Sequence, residues 1–371
     1  MANFDVSKEW AILVKPDIAH VNKAVEDISG YINLLAGLCG IRSNKPPAIL
    51  DAAGAAPSCA VIVLNSDGGG PERNGFSWRA GSDRVEIYGE SGRGLCNGIY
   101  SFLAALGISW PEIGKEKLPF PAAKNVMESS RGYSPVLTLT KDNANEPSFY
   151  EGSNPAAAPW KRFVLAGKRD IKNFLKNVEA FAAWAARRRY DALVFPLAAY
   201  ASESTRRKLR QLRQIAGEYG IAVEAGGREL SSLVPRSYFF LHRDCFRMEE
   251  GKRKKANHFC PTNPGTIRLI AKEGEKLFRA AGDVKVFHLW PDKGAETTWC
   301  ACPTCRAFTP AEQNRIGVNA AADVLMTVNS GASVTFYEKR GEETNIPLRK
   351  NLFKMEILPE EKKYEDDDKG S

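Results

Sequence analysis

No apolar stretch in the 371 residues approaches the roughly 18 needed to cross a bilayer as a helix, so the sequence holds no candidate membrane span and no membrane partner is expected. The first residues, MANFDVSKEWAILVKPD, lack a charged segment followed by an apolar run, the pattern of a secretory leader. The expected compartment is therefore the cytoplasm, with reduced thiols; a chain trimmed of its leader would read the same and be secreted. A nucleic-acid-binding zinc ribbon needs two Cys-x-x-Cys knuckles, and only one partial knuckle is present, at 300–305. Gly68-Gly69-Gly70 does not open a helix at the spacing of a phosphate loop. Strong net charge is also missing: 52 Lys and Arg against 44 Asp and Glu leave +8, which permits an anionic partner without requiring one. The basic runs Arg187–Arg189, Arg206-Arg207 with Arg210 and Arg213, and 251–255 carry no interleaved aromatics. They read as solvated faces, and no nucleic-acid partner is expected.

What is present is a chain long enough for two or three domains, 43% hydrophobic and 10% aromatic, the composition of an ordinary globular protein. Residues 1–127 read as a small α/β unit. Ala11–Lys15 is a strand, a helix runs from 17 to about Leu38, and Cys59–Asn65 is a second strand beyond a loose Pro/Ala/Gly stretch. Phe76–Ala80 and Val85–Gly89 form a hairpin. Glu90–Leu106 is a helix with Leu95, Ile99, Phe102, Leu103 and Leu106 on one side, stopped by Gly107.

A Pro-rich linker, 118–135, leads into repeated strand-then-helix patterning over 128–359. The expected strands are Val136–Thr140, Ala192–Leu197, Ile221–Glu224, 285–290, Ser333–Glu338 and Leu352–Leu358. The expected helices are Lys168–Arg189, Thr205–Tyr219, 265–281 and 310–328. Such alternation predicts a parallel α/β sheet, and acids recurring at strand ends favour a TIM-type (β/α) barrel over a doubly wound sheet. Six strands are countable where a closed barrel needs eight, so the barrel is expected to be incomplete or two strands are hidden. Residues 360–371 form a charged tail expected to be disordered.

Within that second unit the densest stretch is 285–305, KVFHLWPDKGAETTWCACPTC. A short apolar strand is stopped by Pro291. The loop after it holds Asp292, Lys293, Glu296 and Trp299, then Cys300, Cys302 and Cys305. Acids just beyond a buried strand are where α/β barrels keep their chemistry. A tight cysteine cluster suits a metal or a disulfide.

Two segments carry a resemblance to known families. The helix GESGRGLCNGIYSFLAALGISW, through Arg93, Gly94, Gly98, Tyr100, Phe102, Leu103, Gly107 and Trp110, resembles the last helix of the N-terminal accessory domain found in α-glucuronidase- and β-hexosaminidase-type enzymes. Cys260-Pro261-Thr262-Asn263-Pro264 together with Asp292 and the Cys300-x-Cys302-x-x-Cys305 loop resembles the bacterial domain of unknown function 4838, a family related to glycoside hydrolases and to family 163 endo-β-N-acetylglucosaminidases. The match departs from that family after the third strand, where Gly226-Gly227-Arg228 stands in place of a Gly-His pair.

The resemblance implies a glycoside hydrolase-like protein cleaving a β-linked N-acetylhexosamine-containing or related glycan, or, if the barrel is incomplete, an inactive carbohydrate-binding relative. Glycoside hydrolysis uses two carboxyl groups. The first choices are Asp292, to orient or stabilise, and Glu296, as general acid; the alternatives are a loop-capping aspartate and a solvated loop acid. Glu224, Glu338 and Glu356 are acids of second rank, equally readable as ion-pair partners. Trp299, Trp290 and Tyr337 are candidates to stack on a sugar, and Arg228 and Asn263 to contact one. His288 reads as a core histidine. Cys300, Cys302 and Cys305 with Cys260, which the resemblance ties to the same site, make a structural zinc site sensible, with His258 as an alternative ligand and a disulfide or free thiols as the other readings. Catalysis itself needs no cofactor.

Overall fold

The computed structural model describes residues 3–15, 21–41, 46–51, 59–69, 74–81, 83–119, 136–138, 161–165, 168–292, 294–295, 298–338 and 344–355. The proposed tail at 360–371, and Glu296 and Glu356, lie outside the described residues.

The first body is a five-stranded sheet. Its strands are β2 (Trp10–Val14), β3 (Ala48–Asp51), β4 (Ala60–Gly69), β5 (Phe76–Ala80) and β6 (Arg84–Ser91), in the order β3-β2-β4-β6-β5. The first four are parallel and β5 joins β6 as the expected antiparallel hairpin. A strand at β3 was not expected in the Pro/Ala/Gly stretch; all four of its residues are exposed, so no apolar alternation marks it. Helices α1 (Asn22–Leu38) and α2 (Gly92–Ala105) complete this body. All of the 14 residues of α2 are buried except Gly92 and Ala104, because a second sheet system lies on its other side. A short pair, β7 (Ser109–Glu112) with β8 (Lys115–Lys117), follows.

The second body is a six-stranded, wholly parallel sheet: β10 (Arg162–Val164), β11 (Ala192–Phe195), β12 (Ala222–Gly227), β15 (Val286–Leu289), β16 (Ser333–Tyr337) and β17 (Leu352–Met355), paired in chain order. Between them run α3 (Lys168–Phe174), α4 (Val178–Arg187), α5 (Glu203–Gly217), α6 (Pro264–Ala281) and α7 (Pro310–Val328). Parallel strands in chain order with helical crossovers are the barrel pattern, but among the described residues β10 and β17 remain edges and the sheet does not close. One small antiparallel pair, β13 (Met248–Glu249) with β14 (Lys252–Arg253), decorates the excursion between β12 and α6.

The sheet's first strand differs from expectation. Val136–Thr138 (β9) pairs antiparallel with β1 (Asn3–Asp5) rather than joining the parallel sheet. Arg162–Val164 takes that place. Three residues opening on a charge offer too short an apolar run to be read as a strand. The expected helix 168–189 is two helices, because Asn177 turns its side chain onto the Ala180 N–H at 3.0 Å and caps a new start. Glu224 lies inside β12, not at its end, since the strand continues through Gly226-Gly227.

The two bodies meet at the N-terminal ends of the parallel strands. Arg93, the arginine of the α2 signature, is buried there. Its Nε donates to Asp191 Oδ1 at 3.2 Å, its Nη1 to the Tyr219 carbonyl at 3.2 Å and its Nη2 to the Tyr190 carbonyl at 2.6 Å. Asp191 also accepts from Asn97 Nδ2, Asn74 Nδ2 and the Lys161 N–H, so the buried charge is fully engaged. Gly94 is required by contact: a Cβ there would stand 2.3 Å from the Gly75 carbonyl oxygen.

Candidate active site and cysteine centre

Side chains of the six strands alternate. One face, with Phe163, Leu193, Phe195, Val223, Phe287, Leu289, Val334 and Phe336, belongs to the main core under the helices. The other carries Val164, Val194, Trp290 and Met355, with Tyr337 packed beside them.

On this second face lies a buried polar chain. Arg162 grips Glu224 with Nε at 2.7 Å and Nη2 at 3.5 Å. His288, fully buried, places Nε2 2.8 Å from Glu224 Oε2 and Nδ1 2.6 Å from Thr335 Oγ1. The carboxylate can only accept, so Nε2 carries the hydrogen and Nδ1 accepts from the threonine hydroxyl. Thr335 Oγ1 in turn accepts from Trp290 Nε1 at 3.2 Å. Burial would raise the Glu224 carboxyl, but Arg162 and His288 reverse this and hold it at about 2. Burial lowers His288 and keeps it neutral. Gly226, with φ +105°, allows the close approach of β15: a Cβ there would lie 2.0 Å from the His288 carbonyl oxygen. The expected Gly-His pair is thus absent from β12, while a histidine stands opposite, on β15, in register with Gly226.

At the C-terminal rim, the ends of β12 and β15 are stitched together. Trp290 N–H donates to the Gly227 carbonyl (3.0 Å), Leu230 N–H to the Trp290 carbonyl (3.1 Å) and Ser231 N–H to Asp292 Oδ1 (3.3 Å). This puts Glu229 and Asp292 on neighbouring strand ends. Glu229 accepts from the Leu197 N–H, which opens the 3-10 turn after β11. Burial raises the Glu229 carboxyl to about 7; the Leu197 N–H opposes this and the charge of Asp292 adds to it. Arg236 and His258 also feel the Asp292 charge. Nothing in the sequence singles out Glu229 beyond its position two residues past a strand.

His258 is fully buried and stacks on Trp299, ring centroids 4.2 Å apart at 14°. Its Nε2 must donate to the Ala295 carbonyl at 2.9 Å, which leaves Nδ1 as a bare acceptor, and among the described residues it meets no donor.

The structure places the other candidates as follows. Trp290 is fully buried in the strand face, and Trp299 is 7% exposed with one ring face covered by His258. Tyr337 is partly buried beside Trp290. Glu338 is buried between Arg315, at 3.0 Å, and Lys354, at 3.3 Å. Asn263 caps α6, its Oδ1 accepting from Gly265 N–H at 2.7 Å. Arg228 is half-buried beside Glu229 in the chain. Of the two catalytic candidates only Asp292 is described.

Below the rim, Cys260, Cys300, Cys302 and Cys305 form a buried cluster able to hold a metal ion, with all four sulfurs within 4.8 Å of one another. Cys260 Sγ is 3.7 Å from Cys302 Sγ and 3.6 Å from Cys305 Sγ. Four sulfurs at about 2.3 Å from one zinc stand about 3.8 Å apart at the corners of a tetrahedron, close to the separations of Cys260 from Cys302 and Cys305, so the donor set suits such an ion. All four are free cysteines rather than disulfide-bonded. Hydrogen bonds from Cys300 and Cys305 hold the Cys260 thiol far below its usual range, as a thiolate. The backbone is arranged for anionic sulfur: Met248 N–H points at Cys300 Sγ (3.2 Å) and Cys305 N–H at Cys302 Sγ (3.5 Å). Gln313 on α7 fixes the loop by bonding the carbonyls of Cys300, Cys305 and Phe308 and accepting from Cys300 N–H. His258 is outside this ligand set.

No protein-family model matches the sequence, and no curated protein does either. Solved structures do. The chain is 14% identical to a Flavobacterium johnsoniae chitobiase of the GH20 class, at TM-score 0.50, covering 91% of this chain and 50% of that one. A GH20 exo-β-N-acetylglucosaminidase from Vibrio harveyi gives 12% identity and TM-score 0.48, with 96% and 55% covered. A β-N-acetylhexosaminidase from Bacteroides fragilis gives 13% and 0.46, with 95% and 67% covered. The chain thus spans about half the length of the first two. At these identities the likeness concerns fold alone: a mixed α/β protein whose parallel sheet is similar in fold to that of the chitobiase.

Proposed function

We propose that this protein is a glycoside hydrolase-like enzyme acting on a β-linked N-acetylhexosamine-containing glycan, with residues 1–127 as an accessory domain and 128–359 as the hydrolase-like domain. The observation that carries the reading is Asp292, held by a backbone N–H at the C-terminal mouth of the central parallel strand beside a second carboxyl. The family resemblance of the loops 260–264 and 292–305 supports the substrate class. Asp292 orients or stabilises the reacting sugar, and Glu296, in the same loop, is the general acid indicated by the sequence. Incubation with aryl N-acetyl-β-glucosaminides and N-glycans is expected to release product, and Asp292→Asn to lower kcat by at least about 10²-fold. Unchanged turnover in that variant would remove Asp292 from the mechanism.

The cysteine cluster holds a structural zinc that pins the 230–263 excursion to the central loop, with no open position for a reaction. Protein prepared without chelator is expected to contain about one zinc per chain, and Cys302→Ser to lose it. Metal-free protein of unchanged thermal stability would refute this.

A second reading, glycan binding without turnover, is favoured by the parallel sheet, which stays open among the described residues. Retention on a glycan array by a chain that cleaves none of these substrates would select it.

A further inference from the structure

We propose that Glu229, rather than Glu296, is the proton donor of the site, working beside Asp292; this rests on the hydrolase reading above. The geometry comes first. The hydrogen bonds joining 227–231 to 290–292 leave no slack between the two strand ends, so Glu229 and Asp292 are neighbours by strand register and not by chance of loop conformation. The Leu197 N–H fixes one carboxyl oxygen of Glu229, and the other is left to carry a hydrogen. The groups that face it are Asp292, from the loop after β15, and Tyr200, from the turn after β11; Arg236 and His258 stand around Asp292.

A carboxyl held by one backbone N–H beside a second carboxyl on the neighbouring strand end is the arrangement a proton donor needs. Burial lifts Glu229 to about 7, which leaves much of it protonated near neutrality. In the step assigned to it, the Glu229 hydrogen passes to the glycosidic oxygen as the bond from that oxygen to the anomeric carbon breaks. The resulting carboxylate then takes a proton from the water that adds to the anomeric carbon. The products are two hydroxyl compounds, and Glu229 ends as it began.

The test compares Glu229→Gln and Glu296→Gln in the full chain. Aryl N-acetyl-β-glucosaminides of graded leaving-group acidity are the first probe. Glu229→Gln is expected to lose about 10²–10⁴-fold on the poorest leaving group, far less on dinitrophenol, and to lose the alkaline limb of the kcat/KM profile. Glu296→Gln is expected to keep that limb. The second probe is infrared difference titration of the carboxyl C=O stretch, which needs no turnover. A protonated-carboxyl band titrating near neutrality in the wild type and missing from Glu229→Gln supports the inference. The limb persisting in Glu229→Gln, or no such band, overturns it. The band present in a protein that cleaves none of the glycosides overturns the reaction while keeping Glu229 as the proton-holding carboxyl of the site.

Discussion

Glu224 and Glu229 are five residues apart on one strand and its exit, and their surroundings send them in opposite directions. Glu224 is fully buried and Glu229 partly so. Glu224 meets Arg162 and His288 and is held ionised, at about 2, in a hydrogen-bonded chain that runs through Thr335 to Trp290. Glu229 meets one N–H and another carboxyl and is driven to about 7. Burial is common to both; the partner decides the sign. The satisfied chain reads as architecture and the rim, with an unmatched carboxyl and the bare His258 Nδ1, as chemistry.

The largest effect that tests this contrast is on stability. Glu224→Gln strands Arg162 without a carboxylate, and urea denaturation at neutral pH is expected to show a loss of about 3–5 kcal/mol. Glu229→Gln should cost about 1 kcal/mol or less, since burial and Asp292 already penalise the ionised carboxyl that the amide replaces. Equal losses would break the comparison. Next in size is Thr335→Val, which leaves His288 Nδ1 and Trp290 Nε1 unpaired in the interior; about 1–3 kcal/mol is expected. A neutral result there would show that the relay is incidental to packing.

The pH dependence is the sharpest test. Glu229 is raised from 4.5 to about 7, so the stability it contributes is complete below about 4.5 and is lost as pH rises through 7. Relative to wild type, Glu229→Gln should therefore gain, by up to about 3 kcal/mol, between acid and mildly alkaline pH. Glu224 is lowered from 4.5 to about 2, so its contribution is present above 4.5 and lost as pH falls through 2. Slopes of the same sign for the two variants would sink the assignment.

Much of this was legible in the chain. Helix 310–328 falls where expected, since Thr309 and Glu312 form a reciprocal capping box and Pro310 opens the helix. The α2 pattern also survives: Arg93 docks the first body on the second, and Gly94 lets α2 lie against the backbone at Gly75 within the first. Other features were hidden for physical reasons. Arg162–Val164 is a strand because neighbours on one side and helices on the other bury it, and three residues carry no period of their own. Trp299 has the composition of a sugar platform, yet His258, 41 positions earlier in the chain, covers its face.

The sequence by itself determined the alternation of strands and helices and the close spacing of Cys300, Cys302 and Cys305, while Cys260 joined them only through the resemblance of 260–264. These depend on local periodicity, spacing and residue type. Only the tertiary structure decided which carboxyl is settled and which is not. The field at Glu224 comes from Arg162 and His288 on other strands, and that at Glu229 from Asp292 and the turn at Leu197. Desolvation and charge act through space, so two glutamates of one short segment acquire opposite characters only once the sheet has assembled around them.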